Sequence, residues 1–101
     1  MLSLNSAVVV GSGMIGLLAI QAIRLAGCSQ VIAVDLDSGR LEKAKQLGAD
    51  VGLKADEVDV PEEVRKLTDG RGADVVLEVV GATATIKTAI ESARKGGSIT
   101  L

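Results

Sequence analysis

The sequence lacks histidine and all aromatic residues, and it contains a single cysteine, Cys28. Without aromatic side chains the chain has no surface on which nucleic-acid bases could stack. Its 11 basic and 13 acidic residues form no basic cluster for a phosphate backbone. One cysteine rules out an intrachain disulfide, and the missing histidine removes the commonest metal ligand and general base. We therefore predict no nucleic-acid partner and no zinc site within this sequence.

A long hydrophobic run is also missing. The longest apolar stretch begins at Met14 and is interrupted by Gln21 and Arg24, so it is too short to cross a bilayer. Residues 1–6 contain no basic residue and no hydrophobic segment before a cleavage site, so we expect no signal peptide. The sequence thus predicts a soluble, cytoplasmic protein with no membrane partner.

Aliphatic residues dominate what remains. The chain of 101 residues fits one domain, and 48% of it is hydrophobic without any aromatic contribution, which suits buried parallel strands. Five short apolar runs alternate with four helical patterns. Strands are predicted at 7–10, 31–34, 50–53, 75–80 and 98–101, with helices over 14–26, from the cap Ser38 to Gly48, from Pro61 to Gly70 and from Thr83 to Gly96.

This alternation predicts an α/β fold, a doubly wound parallel sheet of the Rossmann type that occupies residues 1–101 as one domain. The expected strand order is 3-2-1-4-5, with helices on both faces. A ligand crevice is then expected at the carboxyl ends of strands 1 and 4. Strand 5, residues 98–101, would leave an uncovered edge, so we also predict a homodimer through the sheet edge.

A glycine motif follows the first predicted strand directly and opens the first helix. Gly11 permits a tight turn, Gly13 lets the backbone approach a pyrophosphate, and Gly16 allows the helix to pack closely on the strand. Free N–H groups at Met14 and Ile15 would face the phosphates. The alternative interpretation is a plain glycine-rich turn, but the strand before it and the helix after it favour dinucleotide binding.

An acid ends the second predicted strand, about 20 residues after the motif. Asp35 can accept hydrogen bonds from the adenosine ribose hydroxyls, and its charge would repel the 2′-phosphate of NADP. The alternative is that Asp35 only caps a turn. Leu36 beside it is included in the predicted cofactor site. Arg40 either reaches the adenosine end of the ligand or is a solvated residue of its helix. The prediction is a site that prefers NAD to NADP.

Several segments together carry a family resemblance. Gly11 to Asp35, Lys45 to Asp50, Gly70 to Glu78 and Lys95 to Gly97 make the chain similar to the coenzyme domain of zinc-type medium-chain alcohol and polyol dehydrogenases. Within that family the sequence resembles the sorbitol, threonine and butanediol dehydrogenase branch. The resemblance implies an NAD-dependent oxidoreductase that acts on a CH–OH group of an alcohol or polyol.

The resemblance also implies roles for individual residues. Asp35 would bind the adenosine ribose, with Arg40 near the same ribose, and Val79, Val80 and Gly81 would line the path to the nicotinamide. The zinc ligands, the proton relay and the segment that holds the nicotinamide amide in that family are missing from this sequence. We therefore expect an excised or truncated relative that is inactive alone, with zinc only in the absent catalytic domain and NAD(H) as its ligand.

Two further residues could carry chemistry, and two other functions compete with that of a dehydrogenase coenzyme domain. Glu78, at a strand end, is expected to be structural or near the cofactor rather than a general base, and Cys28 is expected to be a small residue in a turn. A regulatory Rossmann module that senses NADH without chemistry is the main alternative function. A methyltransferase core is a third. The sequence does not identify the substrate of the parent enzyme.

Overall fold

The computed structural model describes residues 5–101, where parallel strands alternate with helices. The elements are β1 (Ser6–Val10), α1 (Met14–Leu25), β2 (Gln30–Asp35), α2 (Ser38–Gln46), β3 (Val51–Lys54), α3 (Val60–Leu67), β4 (Ala73–Glu78), α4 (Thr83–Ser92) and β5 (Ala93–Thr100). The strands form one sheet in the order β3-β2-β1-β4-β5. All pairs between neighbouring strands are parallel. The predicted fold class and strand order are therefore confirmed.

Every residue of β1 is buried, because this strand lies at the centre of the sheet. Successive side chains of a strand point to opposite faces, so β1 contributes to two cores. Val8 and Val10 pack with Ile32 and Val34 on one face, whereas Ala7 and Val9 pack with Ile20 and Ala33 on the other. Both faces are thus filled without any aromatic side chain, by aliphatic residues and, on the second face, by Cys28.

The start of α2 differs from the prediction. Asp37, not Ser38, is the N-cap, since its carboxylate accepts hydrogen bonds from the N–H groups of Gly39 at 2.8 Å and Arg40 at 3.2 Å. Ser38 is the first residue of the helix. Both residue types are good caps, and the turn in which the N–H of Asp37 donates to Asp35 at 2.9 Å places Asp37 in the cap position.

The ends of β4 and β5 also differ from the prediction. β4 stops at Glu78, so Val79 and Val80 lie in the following loop rather than in the strand. β5 begins at Ala93, before the two glycines that were expected to form a turn, and its register against β4 shifts between Ala73 and Val75. A glycine-containing irregularity of this kind bends an edge strand without ending it.

The first helix leaves part of its apolar surface uncovered. Gly16 and Ile20 are its buried residues. Its large exposed side chains are Met14, Ile15, Leu18 and Leu25. Although α1 is apolar, it is only 12 residues long. None of the helices between residues 5 and 101 is long and apolar enough to span a membrane.

Candidate functional site

Two adjoining clefts open at the carboxyl ends of the central strands. We call the first the strand-end cleft, of about 610 Å³, and the second the glycine cleft, of about 380 Å³. Val10, Gly11, Val34, Asp35, Leu36, Asp37, Ser38, Arg40, Ala55, Val80 and Thr85 line the strand-end cleft. Gly11, Gly13, Met14, Ile15, Gly16, Asp35, Arg40, Val79 and Val80 line the glycine cleft. The predicted crevice therefore exists, and the two clefts share four residues.

The three glycines of the motif differ in their surroundings. Gly11 has φ +103°, a backbone conformation that residues with a side chain rarely adopt. A Cβ there would also lie only 2.7 Å from Val80 Cγ2, so both the backbone and the packing favour glycine. A Cβ on Gly16 would collide with the carbonyl oxygen of Gly11. A Cβ on Gly13 would meet nothing within 4 Å. Gly13 is thus the glycine whose missing side chain leaves space for a ligand.

The start of α1 presents backbone donors to the glycine cleft. The N-cap Gly13 has no side chain to accept from them, and the first turn contains no acid. The N–H of Leu17 donates to the carbonyl of Gly13 at 2.9 Å. The preceding N–H groups, of Met14, Ile15 and Gly16, have no acceptor inside the helix. Donors at a helix N-terminus favour an anion such as a pyrophosphate.

Asp35 lies between the two clefts at the end of β2. Its side chain is only 10% exposed. One carboxylate oxygen accepts the N–H of Ser12 at 2.8 Å, and the other accepts the N–H of Asp37 at 2.9 Å. Each oxygen of a carboxylate can accept a second hydrogen bond, so Asp35 retains acceptor capacity toward a ligand. Asp35 therefore stabilises a turn and also faces both clefts.

Arg40 is near the same carboxylate. Its Nη1 lies 4.0 Å from Asp35 Oδ2, and its side chain is 60% exposed. An exposed pair at this separation contributes little to stability. The guanidinium is consequently free to turn toward a ligand in either cleft.

The apolar residues of the predicted site are divided between the clefts. Leu36 and Val80 lie on the walls of the strand-end cleft, and both side chains are more than half exposed. Val80 also lines the glycine cleft together with Val79. Gly81 is not among the described residues that line either cleft, and its N–H instead donates to Glu78. The structure thus brings together all the predicted site residues except Gly81.

Glu78 is buried just behind this wall, at 3% exposure. Its carboxylate accepts hydrogen bonds from the N–H groups of Val80 and Gly81 and from the hydroxyl of Thr85. Burial acts to raise the pKa of Glu78, but the donors of Gly81, Val80 and Thr85 outweigh it, so the pKa lies below its ordinary value. An ionised carboxylate with these partners is not placed to act as a general base.

Sequence reasoning missed several residues that line the strand-end cleft, namely Asp37, Ser38, Ala55 and Thr85. Ala55 could have been found, since it follows β3, and the carboxyl ends of neighbouring parallel strands share one edge. Thr85 could not, because its place depends on how α4 begins. Cys28 lies before β2, at the other end of that strand, and is buried.

Comparison with known proteins agrees with this geometry. Residues 14–101 match the family described as zinc-binding dehydrogenase. The chain belongs to this family. An L-threonine 3-dehydrogenase of Symbiobacterium thermophilum is 40% identical over 100 residues, covering 99% of this chain and 28% of that protein. A sorbitol dehydrogenase of Halalkalibacterium halodurans is 47% identical over 91 residues, covering 89% and 26%.

Solved alcohol dehydrogenases share the fold. The alcohol dehydrogenase TADH from Thermus sp. ATN1 superposes with a TM-score of 0.94 at 37% identity, over 99% of this chain and 29% of that one. The chain therefore spans between a quarter and a third of these relatives. The expected resemblance to the sorbitol and threonine dehydrogenases is confirmed.

The family description names zinc, but the part of the chain that the structure describes contains no set of zinc ligands. No group of three or more Cys, His, Asp or Glu residues between positions 5 and 101 could hold a metal ion. The nicotinamide dinucleotide is different, because open space at Gly13, unpaired helix donors and a carboxylate at Asp35 meet in one place. The residues fit that cofactor and not the metal.

Proposed function

We propose that residues 1–101 form an NAD(H)-binding domain. The observation that carries the proposal is the open face of Gly13 beside the uncapped start of α1, with Asp35 lining the same cleft. The pyrophosphate would bind the N–H groups of Gly13, Met14 and Ile15, and Asp35 would accept from the ribose hydroxyls. Arg40 would contact the same ribose.

The strand-end cleft would take the adenine ring. Its exposed apolar side chains, Leu36 and Val80, offer a surface of the kind that a flat ring covers, and desolvating them favours binding. Val79 lies on the other side, against Gly11, and it would line the path toward the nicotinamide. Gly81 contributes through its hydrogen bond to Glu78 rather than by contact.

In the parent enzyme this domain would serve the oxidation of a CH–OH group of an alcohol or polyol, with NAD as the hydride acceptor. The names of the similar proteins, threonine, sorbitol and alcohol dehydrogenases, support this reaction class. The catalytic zinc and the groups that move the proton would belong to a catalytic domain. Alone, the chain would bind the cofactor without turning over a substrate.

The free thiol of Cys28 is compatible with the predicted cytoplasmic location.

Thermal-shift titration of the 101-residue chain with NADH, ADP-ribose and S-adenosylmethionine tests the proposal. NADH and ADP-ribose should each raise the melting temperature, because a ligand that binds only the folded state stabilises it. Gly13→Asp should abolish both shifts by placing a carboxylate at the phosphate position, whereas Gly13→Asn, of the same size, should weaken them less. A shift with S-adenosylmethionine alone would contradict the proposal.

The predicted inactivity needs a separate assay. The purified chain, with added Zn²⁺, NAD and either sorbitol or threonine, should produce no NADH above the level of the Gly13→Asp variant. Turnover above that level would show that the chain itself carries catalytic groups. Binding without turnover is also what a regulatory NADH sensor would show. The match to the zinc-binding dehydrogenase family favours the dehydrogenase domain over the sensor.

A further inference from the structure

A buried carboxylate stands behind the wall that the two clefts share. Glu78 Oε1 accepts the N–H of Val80 at 2.6 Å, the N–H of Gly81 at 2.8 Å and the hydroxyl of Thr85 at 3.1 Å. Its other oxygen accepts the N–H of Gly81 at 3.1 Å. Among the described residues no lysine or arginine forms a salt bridge with it. Its charge is therefore stabilised by the loop that it binds.

These hydrogen bonds determine where the chain goes after β4. The N–H of Val79 still donates to the carbonyl of Val10 at 3.1 Å, as if the strand continued. The next two N–H groups, of Val80 and Gly81, turn toward the Glu78 side chain, and Gly81 takes φ +84°. The loop would have no other described acceptor for these donors. Its conformation thus depends on the carboxylate.

The same loop touches the glycine motif. The space that a Cβ on Gly11 would need is occupied by Val80 Cγ2 at 2.7 Å and Val79 Cγ2 at 3.1 Å. A shift of the loop would therefore move the wall that lies against the first turn of the motif. Because Val80 lines both clefts, one displacement would alter both.

Thr85 extends the network to α4. Its hydroxyl lies 3.1 Å from Glu78 Oε1 and 2.9 Å from the carbonyl of Ala82, and the residue lines the strand-end cleft. One buried carboxylate accordingly links the end of β4, the loop and the first turn of α4. The pKa of Glu78 lies below its ordinary value because these donors outweigh burial, so the carboxylate is ionised at neutral pH and both of its oxygens act as acceptors.

We propose that Glu78 is a positioning residue of the cofactor site, whose carboxylate fixes the loop of Val79, Val80 and Gly81 and so sets the wall that NAD(H) contacts. This inference rests on the proposed cofactor binding and adds a residue that does not itself line either cleft. Glu78→Gln keeps the size of the side chain but turns an NH₂ group toward N–H donors. The dissociation constant for NADH should rise about tenfold, because losing a buried hydrogen bond lets the loop leave its binding-competent conformation and the apparent constant rises as that fraction falls.

The 101-residue chain carries a matched control. Asp74 is a second little-exposed carboxylate whose pKa is lowered by Arg94 and by backbone donors against the effect of burial, and it accepts the N–H groups of Asn5 and Ser6. It lies at the opposite end of β4, away from the clefts. Asp74→Asn should destabilise the fold to a similar degree while changing the dissociation constant for NADH by less than about twofold.

Two measurements on wild type, Glu78→Gln and Asp74→Asn decide the question. Amide hydrogen exchange without ligand should speed up at Val80 and Gly81 in Glu78→Gln only, and calorimetry should show the tenfold loss in the same variant only. Folded Glu78→Gln with wild-type exchange and affinity would overturn the proposal, as would equal losses in both variants. If Glu78→Gln does not fold, Thr85→Val, which removes one donor and keeps the shape, should speed up exchange at Val80 and Gly81 on a smaller scale, and unchanged exchange there would overturn the proposal. Exchange and not affinity is the measurement for this variant, because Thr85 itself lines the strand-end cleft.

Failure of the two proposals can be told apart. Wild-type chain that does not bind NADH would contradict the cofactor-binding function, whatever the variants do. The exchange rates at Val80 and Gly81 would still show whether Glu78 fixes the loop. Wild-type chain that binds NADH, with no difference for Glu78→Gln, would leave the function standing and remove only the positioning role.

Discussion

Asp35 Oδ2 accepts the backbone N–H of Ser12 at 2.8 Å, which joins the end of β2 to the middle of the glycine motif. The N–H of Gly11 reinforces this link by donating to the carbonyl of Val34 at 2.7 Å. We therefore expect Asp35 to act on a bound cofactor in two ways, by its charge and by fixing the loop where we propose that the phosphates bind. Removing the whole side chain would change both.

Asp35→Asn and Asp35→Ala separate the two effects. Asparagine removes the charge but keeps an oxygen that can accept from Ser12, whereas alanine removes both. We expect the preference for NADH over NADPH to shrink in both variants, and the affinity for NADH itself to fall at least about threefold further in Asp35→Ala, a difference of roughly 0.7 kcal/mol. Calorimetry with both cofactors measures this. Equal NADH affinities for the two variants would contradict a role in fixing the loop.

Ser12→Ala should stabilise the protein. The Ser12 hydroxyl is fully buried and has no hydrogen-bond partner among residues 5–101, and an unpaired buried polar group is costly. Removing it leaves the Ser12 N–H bond to Asp35 in place, so the free energy of unfolding should rise by about 1 kcal/mol. Urea unfolding of both proteins is the measurement, and a fall in stability would show that the hydroxyl has an unrecognised partner.

The two carboxylates of β4 predict an acid-sensitive fold. The pKa values of Glu78 and Asp74 are both lowered in the folded protein, so each contributes stability above its unfolded pKa of about 4 and loses it as the pH falls through the lower, folded value. The contribution of these two groups to the unfolding free energy should be constant above about pH 5 and decrease below it. The decrease between about pH 5 and 3 should be shallower in Glu78→Gln. A variant with the same pH dependence as wild type would refute the linkage.

Self-association through β5 remains a prediction. β5 forms one edge of the sheet, Ile99 lies in it at 37% exposure, and Leu101 follows it at 72% exposure. An uncovered edge offers N–H and C=O groups to a second edge. Sedimentation velocity should show a concentration-dependent dimer that Ile99→Lys abolishes, whereas Ile90→Lys, on the exposed face of α4, leaves it unchanged. A monomer at all concentrations, or equal effects of both variants, would contradict it.

The positions of the glycine motif and of Asp35 could be predicted because they follow from local order along the chain. A strand, three glycines at set spacing, a helix and an acid ending the next strand fix the relative positions of Gly11, Gly13 and Asp35 with little help from the rest of the fold. The alternation of elements fixed the strand order in the same way, through right-handed crossovers.

The loop after β4 could not be predicted because a tertiary interaction overrides its local pattern. Val79 and Val80 are β-branched and continue an apolar run, so propensity favours a longer strand. The Glu78 side chain captures the N–H groups of Val80 and Gly81 and ends the strand two residues earlier. In the same way Asp37 and Ser38 are adjacent cap residues, and only the geometry of the turn at Asp35 selects between them.

We propose that this chain binds NAD(H) and that Asp35 accepts hydrogen bonds from the adenosine ribose. Isothermal titration calorimetry of the wild-type chain with NADH and with NADPH tests it most directly, with Gly13→Asp as the control that binds neither. NADH should bind at least about tenfold more tightly than NADPH, a difference of roughly 1.4 kcal/mol. Equal affinities for the two cofactors, or heat that persists in Gly13→Asp, would contradict it.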